Sequence, residues 1–239
     1  MGATSTLAKS VGAEFASHGH SLILLARDGE ELDRLACDFR LRYGINVETQ
    51  VFDALNFDSH REILEHWKQD GEEIEGTVVC TGYLGNQSTA PYDFDEAKRI
   101  LDVNLTASVS VLNLLAAHFE KKRSGFICAL SSVAGDRGRQ SNYIYGAAKA
   151  GLSIYLQGLR NRLYPSNVHV ITVKLGIVDT QMTYGLPGLP LKASPEKVAK
   201  GIYKAILMRK NVYYAPYFWR WIMLLIRAIP EFVFKKQKL

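Results

Sequence analysis

Tyr145 and Lys149 stand four residues apart in the run Tyr145-Gly146-Ala147-Ala148-Lys149. On a helix, that spacing puts both side chains on one face with their Cβ atoms about 5–6 Å apart. A nearby ammonium stabilises phenolate over phenol, which turns a tyrosine into a usable acid and base near neutral pH. Ser132 lies thirteen positions before the tyrosine and closes the run 126–132. Such a run reads as a strand, and open α/β sheets hold their ligands at the carboxyl ends of strands. Asn104, in Val103-Asn104-Leu105, belongs to the long helical stretch before that strand. Tyr-x-x-x-Lys alone is equally well an exposed pair on a surface helix. With Ser132 and Asn104 at these separations, the set suits proton transfer to and from a polar substrate oxygen.

Such a set needs strands with their ends in register. Apolar or β-branched runs at 21–25, 47–52, 77–81, 125–130, 168–175 and 211–215 alternate with helical stretches at 6–17, 29–43, 59–70, 94–122, 143–164 and 195–208. The alternation predicts an α/β fold, a single-domain doubly wound parallel sheet of Rossmann-like type, over residues 1–212. Residues 213–239 read as an aromatic and basic tail. Ser194-Pro195-Glu196 predicts a capped helix start with proline at the first helical position. Gly151, inside a helical stretch, costs about 1 kcal/mol against alanine and so predicts close packing or function there.

At 239 residues, with 47% hydrophobic and 22% charged side chains, the chain is neither disordered nor low in complexity. Lys and Arg number 29 against 24 acidic residues, a net charge of +5. No nucleic-acid-reading motif accompanies it, so nucleic acid is not an expected partner. Three cysteines and six histidines, none in ligand or disulfide spacing, predict no metal and a reducing compartment. Residues 1–5 lack the features of a signal peptide, which points to the cytoplasm. Gly2 to Ala8 reads as the turn and helix start that follow a first strand, yet only Met1 precedes it. That strand would lie at the centre of a doubly wound sheet. The sheet is therefore expected to lack its first strand, and the sequence to start late.

Together these motifs resemble the short-chain dehydrogenase/reductase superfamily, from residue 2 to about residue 208. The resemblance implies a nicotinamide-dependent enzyme that reduces a ketone to a secondary alcohol. It makes Tyr145 the general acid for the carbonyl oxygen, and gives Lys149 the tasks of lowering the tyrosine pKa and holding the nicotinamide ribose. Ser132 would orient the carbonyl and Asn104 would hold a water of the proton relay. Where the family has Thr-Gly-x-x-x-Gly-x-Gly, this chain has Gly2-Ala3-Thr4-Ser5-Thr6-Leu7-Ala8, with Thr6 and Ala8 in place of two glycines. A helix N-terminus still offers free N–H groups and a positive dipole end to a pyrophosphate. Gly2, Thr4, Ser5 and Leu7 are the contacts implied there.

Asp53 matches an adenine-contacting aspartate, and would otherwise be a turn residue before Asn56. Val79-Cys80-Thr81-Gly82 stands for Asn-Asn-Ala-Gly and Leu175-Gly176 for Pro-Gly, so Gly82 and Gly176 keep their glycines. Val178 and Thr180 fall where the carboxamide or phosphate end is contacted. Arg27 follows the run 22–26, where an acid would bond an adenosine 2′-OH and an arginine suits a 2′-phosphate. Ala26 occupies the place of the acid in NAD-using relatives, so NADP is expected over NAD. An arginine solvated beside Asp28 is the alternative.

Gly185, Pro187, Gly188 and Pro190 suit a hinged substrate lid. Gln140, Asn142 and Gln181 suit a hydroxylated substrate such as a sugar. Arg139–Tyr145, with Gly2–Ser5 and Val178–Thr183, also resembles a bacterial branch that includes the decaprenylphosphoryl-2-ketopentose reductases, which implies a keto sugar or lipid-linked keto substrate. In the tail, Trp219, Ile222, Met223 and Ile226 share a helical face. With Arg220, Arg227, Lys235, Lys236 and Lys238 nearby, peripheral contact at the inner face of a membrane is expected. An oligomer contact and a cover for the substrate pocket are the other readings, and the family resemblance implies a homodimer or homotetramer. A catalytically idle cofactor-binding or membrane-peripheral interaction protein is the rival to an enzyme, given the replaced glycines.

Overall fold

The computed structural model describes residues 1–62, 74–184 and 192–237. Two all-parallel sheets run through it. β1 (Leu22–Ala26) pairs with β2 (Val47–Val51), and β3 (Gly76–Val79), β4 (Phe126–Ser132), β5 (His169–Leu175) and β6 (Val212–Ala215) pair in that order. The helices are α1 (Thr6–Ser17), α2 (Gly29–Tyr43), α3 (Phe94–Leu101), α4 (Ala107–Lys122), α5 (Tyr143–Leu163), α6 (Pro195–Leu207), α7 (Trp219–Ala228) and the single turn α8 (Glu231–Phe234). Of the stretch expected at 59–70, residues 59–62 are helical and the rest lies outside the described residues.

The strands read as continuous apolar runs because both faces are covered. Ile127 and Ala129 pack under α4 and α5, while Cys128 and Leu130 pack under α1 and α6. That alternation is the two-residue pleat of a strand buried on both sides. Capping side chains start the helices where the sequence places them. Ser5 accepts from the Ala8 N–H at 3.3 Å, Asp28 from Glu31 at 3.0 Å and Ser194 from Lys197 at 3.3 Å. The stretch 94–122 is apolar and long enough to cross a membrane, yet the inner face of α4 (Val111, Leu112, Leu115, Phe119) is core. It is not one regular helix: a π-helical turn, Asp102–Thr106, joins α3 to α4.

The central interruption expected from the sequence is present. β1 and β3 do not pair, and a cavity of about 440 Å³ lies between them, lined by Leu22–Leu25, Gly76–Val78 and Phe126 among others. Only one end is bridged. The Met1 ammonium donates to Val78 O at 2.9 Å, Cys80 N–H donates to Met1 O at 3.0 Å, and Ala3 N–H donates to Leu25 O at 2.9 Å. Burial pushes the Met1 amine below its ordinary pKa.

Three glycines let α5 settle against its neighbours. A Cβ on Gly151 would stand 2.9 Å from Leu105 in the π-helical turn, which answers the cost of a glycine there. A Cβ on Gly146 would stand 2.8 Å from Ala134 O, and one on Gly135 would stand 2.6 Å from Ala150 N. Gly158 of the same helix meets nothing within 4 Å. Gly135→Ala should therefore destabilise the fold by about 1–3 kcal/mol, since backbone cannot yield to the methyl. Gly158→Ala should stabilise it by about 0.5–1 kcal/mol through helix propensity. Urea unfolding of the two variants beside the parent chain checks both signs.

Candidate active site

α5 presents Tyr145 and Lys149 toward the end of β4. Lys149 is 3% exposed, its Nζ donates to Leu130 O at 2.9 Å, and it stands 5.8 Å from the centre of the Tyr145 ring. The backbone of Lys149 is fixed as well. Its carbonyl lies 2.9 Å from both Ser131 Oγ and Ser153 Oγ, which stand 2.8 Å from each other, so one hydroxyl donates to the carbonyl while the other donates either to it or to its neighbour. Ser132 ends β4, where its Oγ accepts from Ala134 N–H at 3.1 Å and so caps the turn Val133–Gly135. Its hydroxyl donates to Leu175 O at 3.4 Å, and it stands close enough to Tyr145 to lower the phenol pKa.

Burial governs the charges. It pushes the Tyr145 phenol up to about 12, against the lowering effect of Ser132. It pulls the Lys149 ammonium down to about 8, against the raising effect of Cys80. The expectation of a tyrosine titrating near neutrality is thus corrected for the free protein. The lysine gives its hydrogen bond to Leu130 rather than to the phenol, and desolvation dominates. A phenol in this state is protonated at neutral pH, the form that donates a proton.

Asn104 lies in the π-helical turn and is fully buried. Its Nδ2 donates to Tyr83 O at 2.6 Å and Ile100 O at 2.8 Å, and its Oδ1 accepts from Tyr83 N–H at 3.2 Å. Both amide donors are therefore spent on backbone, and the side chain fixes the segment after Gly82. Gly82 itself has Asn104 and Lys149 as neighbours, at 3.4 and 3.7 Å from where its Cβ would stand. The π turn, Gly135, Gly146 and the pair Ser131/Ser153 escaped the sequence reading. The short spacing of glycines on either side of Ser132 and Tyr145 was the available signal.

The implied cofactor residues follow the carboxyl ends of the strands. Gly2 has φ +72° and would press a Cβ to 3.1 Å from Thr81 N. Thr4 and Ser5 stand at the start of α1, with Ser5 exposed. Leu7 is core, so only its N–H can face a ligand. Arg27 follows β1 and is exposed, while the Asp28 carboxylate is occupied in capping α2. Asp53 follows β2 and accepts from Leu55 N–H at 3.0 Å, the turn role, with the carboxylate still exposed. Gly176 follows β5 against the Trp219 ring, whose Nε1 would stand 2.0 Å from a Cβ there. Val178 is buried and bridged to Ala193, and Thr180 starts the turn Gln181–Thr183. An open helix N-terminus, an exposed arginine outside any ion pair among the described residues, and glycines at two strand ends fit a phosphorylated dinucleotide.

On the substrate side, Gln140 and Gln181 are exposed and Asn142 is half-buried. The expected lid residues Gly185, Pro187, Gly188 and Pro190 lie outside the described residues. The tail corrects an expectation. Trp219 and Met223, read as a lipid-facing pair, are buried against Val133, with Ile222 and Ile226 packed alongside. Arg137, in the loop after Ser132, stacks on Phe234 at 4.2 Å and pairs with Glu231 at 2.6 Å, which fastens the tail to the site.

The chain matches the family described as short chain dehydrogenase over residues 1–187. An "Uncharacterized oxidoreductase Rv2073c" of Mycobacterium tuberculosis is 33% identical over 229 residues, covering 95% of this chain and 92% of that protein. A short-chain dehydrogenase from Sphingobium yanoikuyae, solved in complex with NADPH, superposes with a TM-score of 0.82 at 25% identity, over 96% of this chain and 94% of that one. The bulky-bulky ketone specific alcohol dehydrogenase from Comamonas testosteroni shares the fold, with a TM-score of 0.82 at 23% identity over 96% and 93% of the two chains.

Asn104→Ala would leave the Tyr83 N–H and two carbonyls without their partner. Each unsatisfied buried group costs about 1–3 kcal/mol. Unfolding should show a loss of at least about 3 kcal/mol for the three groups, and amide exchange at Tyr83 should accelerate. Unchanged protection at Tyr83 would show that the clamp is not holding that segment.

Proposed function

The chain belongs to the short-chain dehydrogenase family and is an oxidoreductase of that type, and from that premise we propose that it reduces a ketone to a secondary alcohol with NADPH. The observation that carries this reading is a buried, protonated Tyr145 beside Ser132, with a buried Lys149 ammonium 5.8 Å from the centre of its ring. NADPH supplies the hydride when bound. Ser132 holds the carbonyl oxygen toward the phenol, and Tyr145 donates its proton as negative charge grows on that oxygen. Lys149 stabilises the phenolate left behind and holds the ribose. Gly2, Thr4, Ser5 and the Leu7 N–H take the pyrophosphate at the start of α1. Arg27 takes the 2′-phosphate, Asp53 the adenine side, and Gly82, Gly176, Val178 and Thr180 the nicotinamide side. Asn104 acts by fixing the segment after Gly82, and its implied water is part of the proposal.

For the substrate we propose a keto sugar or lipid-linked ketone, in the manner of the decaprenylphosphoryl-2-ketopentose reductase branch. Arg139 supports an anionic group on it. Its Nε is buried with no hydrogen-bond partner among the described residues, and burial lowers its pKa. The Comamonas relative acts on bulky ketones. The reading places residues 1–212 as the catalytic domain and 213–239 as the tail, in the cytoplasm at the inner face of a membrane. Homodimers or homotetramers belong to it, supported by Ile154, exposed on the outer side of α5. Thr6 and Ala8 in place of glycines favour a second reading, a chain that binds the cofactor without turnover.

Tyr145→Phe should retain NADPH binding, read by fluorescence, and lose at least about 100-fold in turnover of a keto substrate, the lower bound of general acid catalysis. Wild-type chain that binds NADPH and consumes none with any ketone would favour the second reading. The pH dependence follows from Lys149. Its ammonium is present below about pH 8 and lost above it, while the phenol stays protonated to about pH 12. The reductive kcat/KM should be level below pH 8 and fall above it, and Lys149→Arg should move that fall upward.

Arg27→Ala should raise the KM for NADPH and spare NADH. A charge-assisted contact of about 1.5–3 kcal/mol corresponds to roughly 10–150-fold in the ratio. Equal losses with both cofactors would show that Arg27 does not read the 2′-phosphate.

A further inference from the structure

α7 carries apolar residues on two opposite sides. At about 100° per residue, Trp219, Met223 and Ile226 form the side packed on Val133 and Ile177. Arg220 and Arg227 form a stripe next to it. Beyond that stripe, Trp221, Leu224 and Leu225 form a second apolar arc that faces outward, at 56%, 58% and 71% exposure. After the Pro230 turn, Phe232 continues it at 67% exposure. A helix on the surface of a globular protein ordinarily turns its polar residues outward. Large side chains gathered on an exposed face mark an interaction site.

We propose that this outward face of α7 and α8 docks on an anionic lipid bilayer. The proposal rests on the reading of the active site as one for a lipid-linked ketone, and replaces the lipid-facing residues expected from sequence with the opposite side of the helix. Charge selects the occupant. Arg220, Arg227, Lys235 and Lys236 border the apolar arc, and none forms an ion pair with an acid among the described residues. Glu231, the acid within this segment, is paired with Arg137. A symmetric contact with a second copy would set these cations against themselves, because a two-fold interface brings the same patch together. Anionic headgroups complement them, and aromatic side chains suit the boundary between headgroups and acyl chains.

The same helix forms a wall of the site. Its buried side touches Val133, next to Ser132, and Trp219 lies against Gly176. Docking of the outer side therefore holds the catalytic edge about one helix diameter, roughly 10–12 Å, from the lipid surface. A ketone carried on a headgroup that extends this far then reaches Tyr145 while its acyl chain stays in the bilayer.

Vesicle flotation tests this with the full chain. The protein should float at low salt with phosphatidylcholine vesicles containing phosphatidylglycerol, and not with phosphatidylcholine alone. Arg220→Gln with Lys235→Gln should weaken binding about 30-fold, at about 1 kcal/mol for each basic residue near such a surface. Trp221→Ser with Leu225→Ser should abolish flotation and leave NADPH-dependent reduction of a water-soluble ketone unchanged. No flotation of the wild type, or full flotation of the serine variant, overturns the docking. A fall in oligomeric mass in that variant also overturns it and assigns the face to a second copy. Failure of the wild type to reduce any soluble ketone speaks against the ketoreductase reading and leaves the flotation result standing.

Discussion

A lysine ammonium held out of water beside a phenol is the constraint on which the rest of the structure depends. An isolated buried ammonium is costly, and Lys149 is kept by the Leu130 carbonyl at 2.9 Å. That bond requires α5 to lie close along the end of β4. Gly135 and Gly146 permit the approach, and Ser131 and Ser153 bind the Lys149 carbonyl to hold it. The result is a phenol and an ammonium whose pKa values burial drives apart: Tyr145 is raised to about 12 and Lys149 is lowered to about 8. Tyrosine is then the protonated acid and lysine the charge that awaits its anion.

Parallel strands bring the other residues to this place. With every pairing parallel, the carboxyl ends of the strands lie along one edge, so Asp53, Arg27, Gly82, Ser132 and Gly176 follow one another across it. The tail closes that edge. Asp136, two residues after Ala134, accepts from Tyr214 Oη at 2.7 Å and pairs with Lys174, while Arg137 holds Glu231 and Phe234. These contacts tie the loop after Ser132 to β5, β6 and the helices beyond. A tail fastened this way is part of the catalytic wall as well as an outer surface.

Much of this was legible in the sequence because it depends on local pattern. Period-two and helical patterns located the elements, Ser194-Pro195 located the start of α6, and the missing partner of β1 and β3 followed from Gly2 standing directly after Met1. Other features depend on three-dimensional balance. The phenol pKa was misread because i,i+4 spacing states proximity and not where the lysine directs its hydrogen bond. The contacts of Asn104 with the Tyr83 backbone were not legible, because they depend on a π turn that no local pattern announces. The tail was misassigned because a helix with two apolar arcs gives no local sign of which arc meets the protein. Gly176 decides it: without a side chain, it leaves room for Trp219.

The transfer of label from cofactor to product tests the central claim most directly. The chain would be incubated with NADPH deuterated at the transferable C4 position and a panel of aryl, alicyclic and sugar ketones, with the alcohols read by mass spectrometry. The account predicts one deuterium on the carbinol carbon of at least one product. Alcohol lacking deuterium at that carbon, or no alcohol from any ketone while NADPH remains bound, would contradict it.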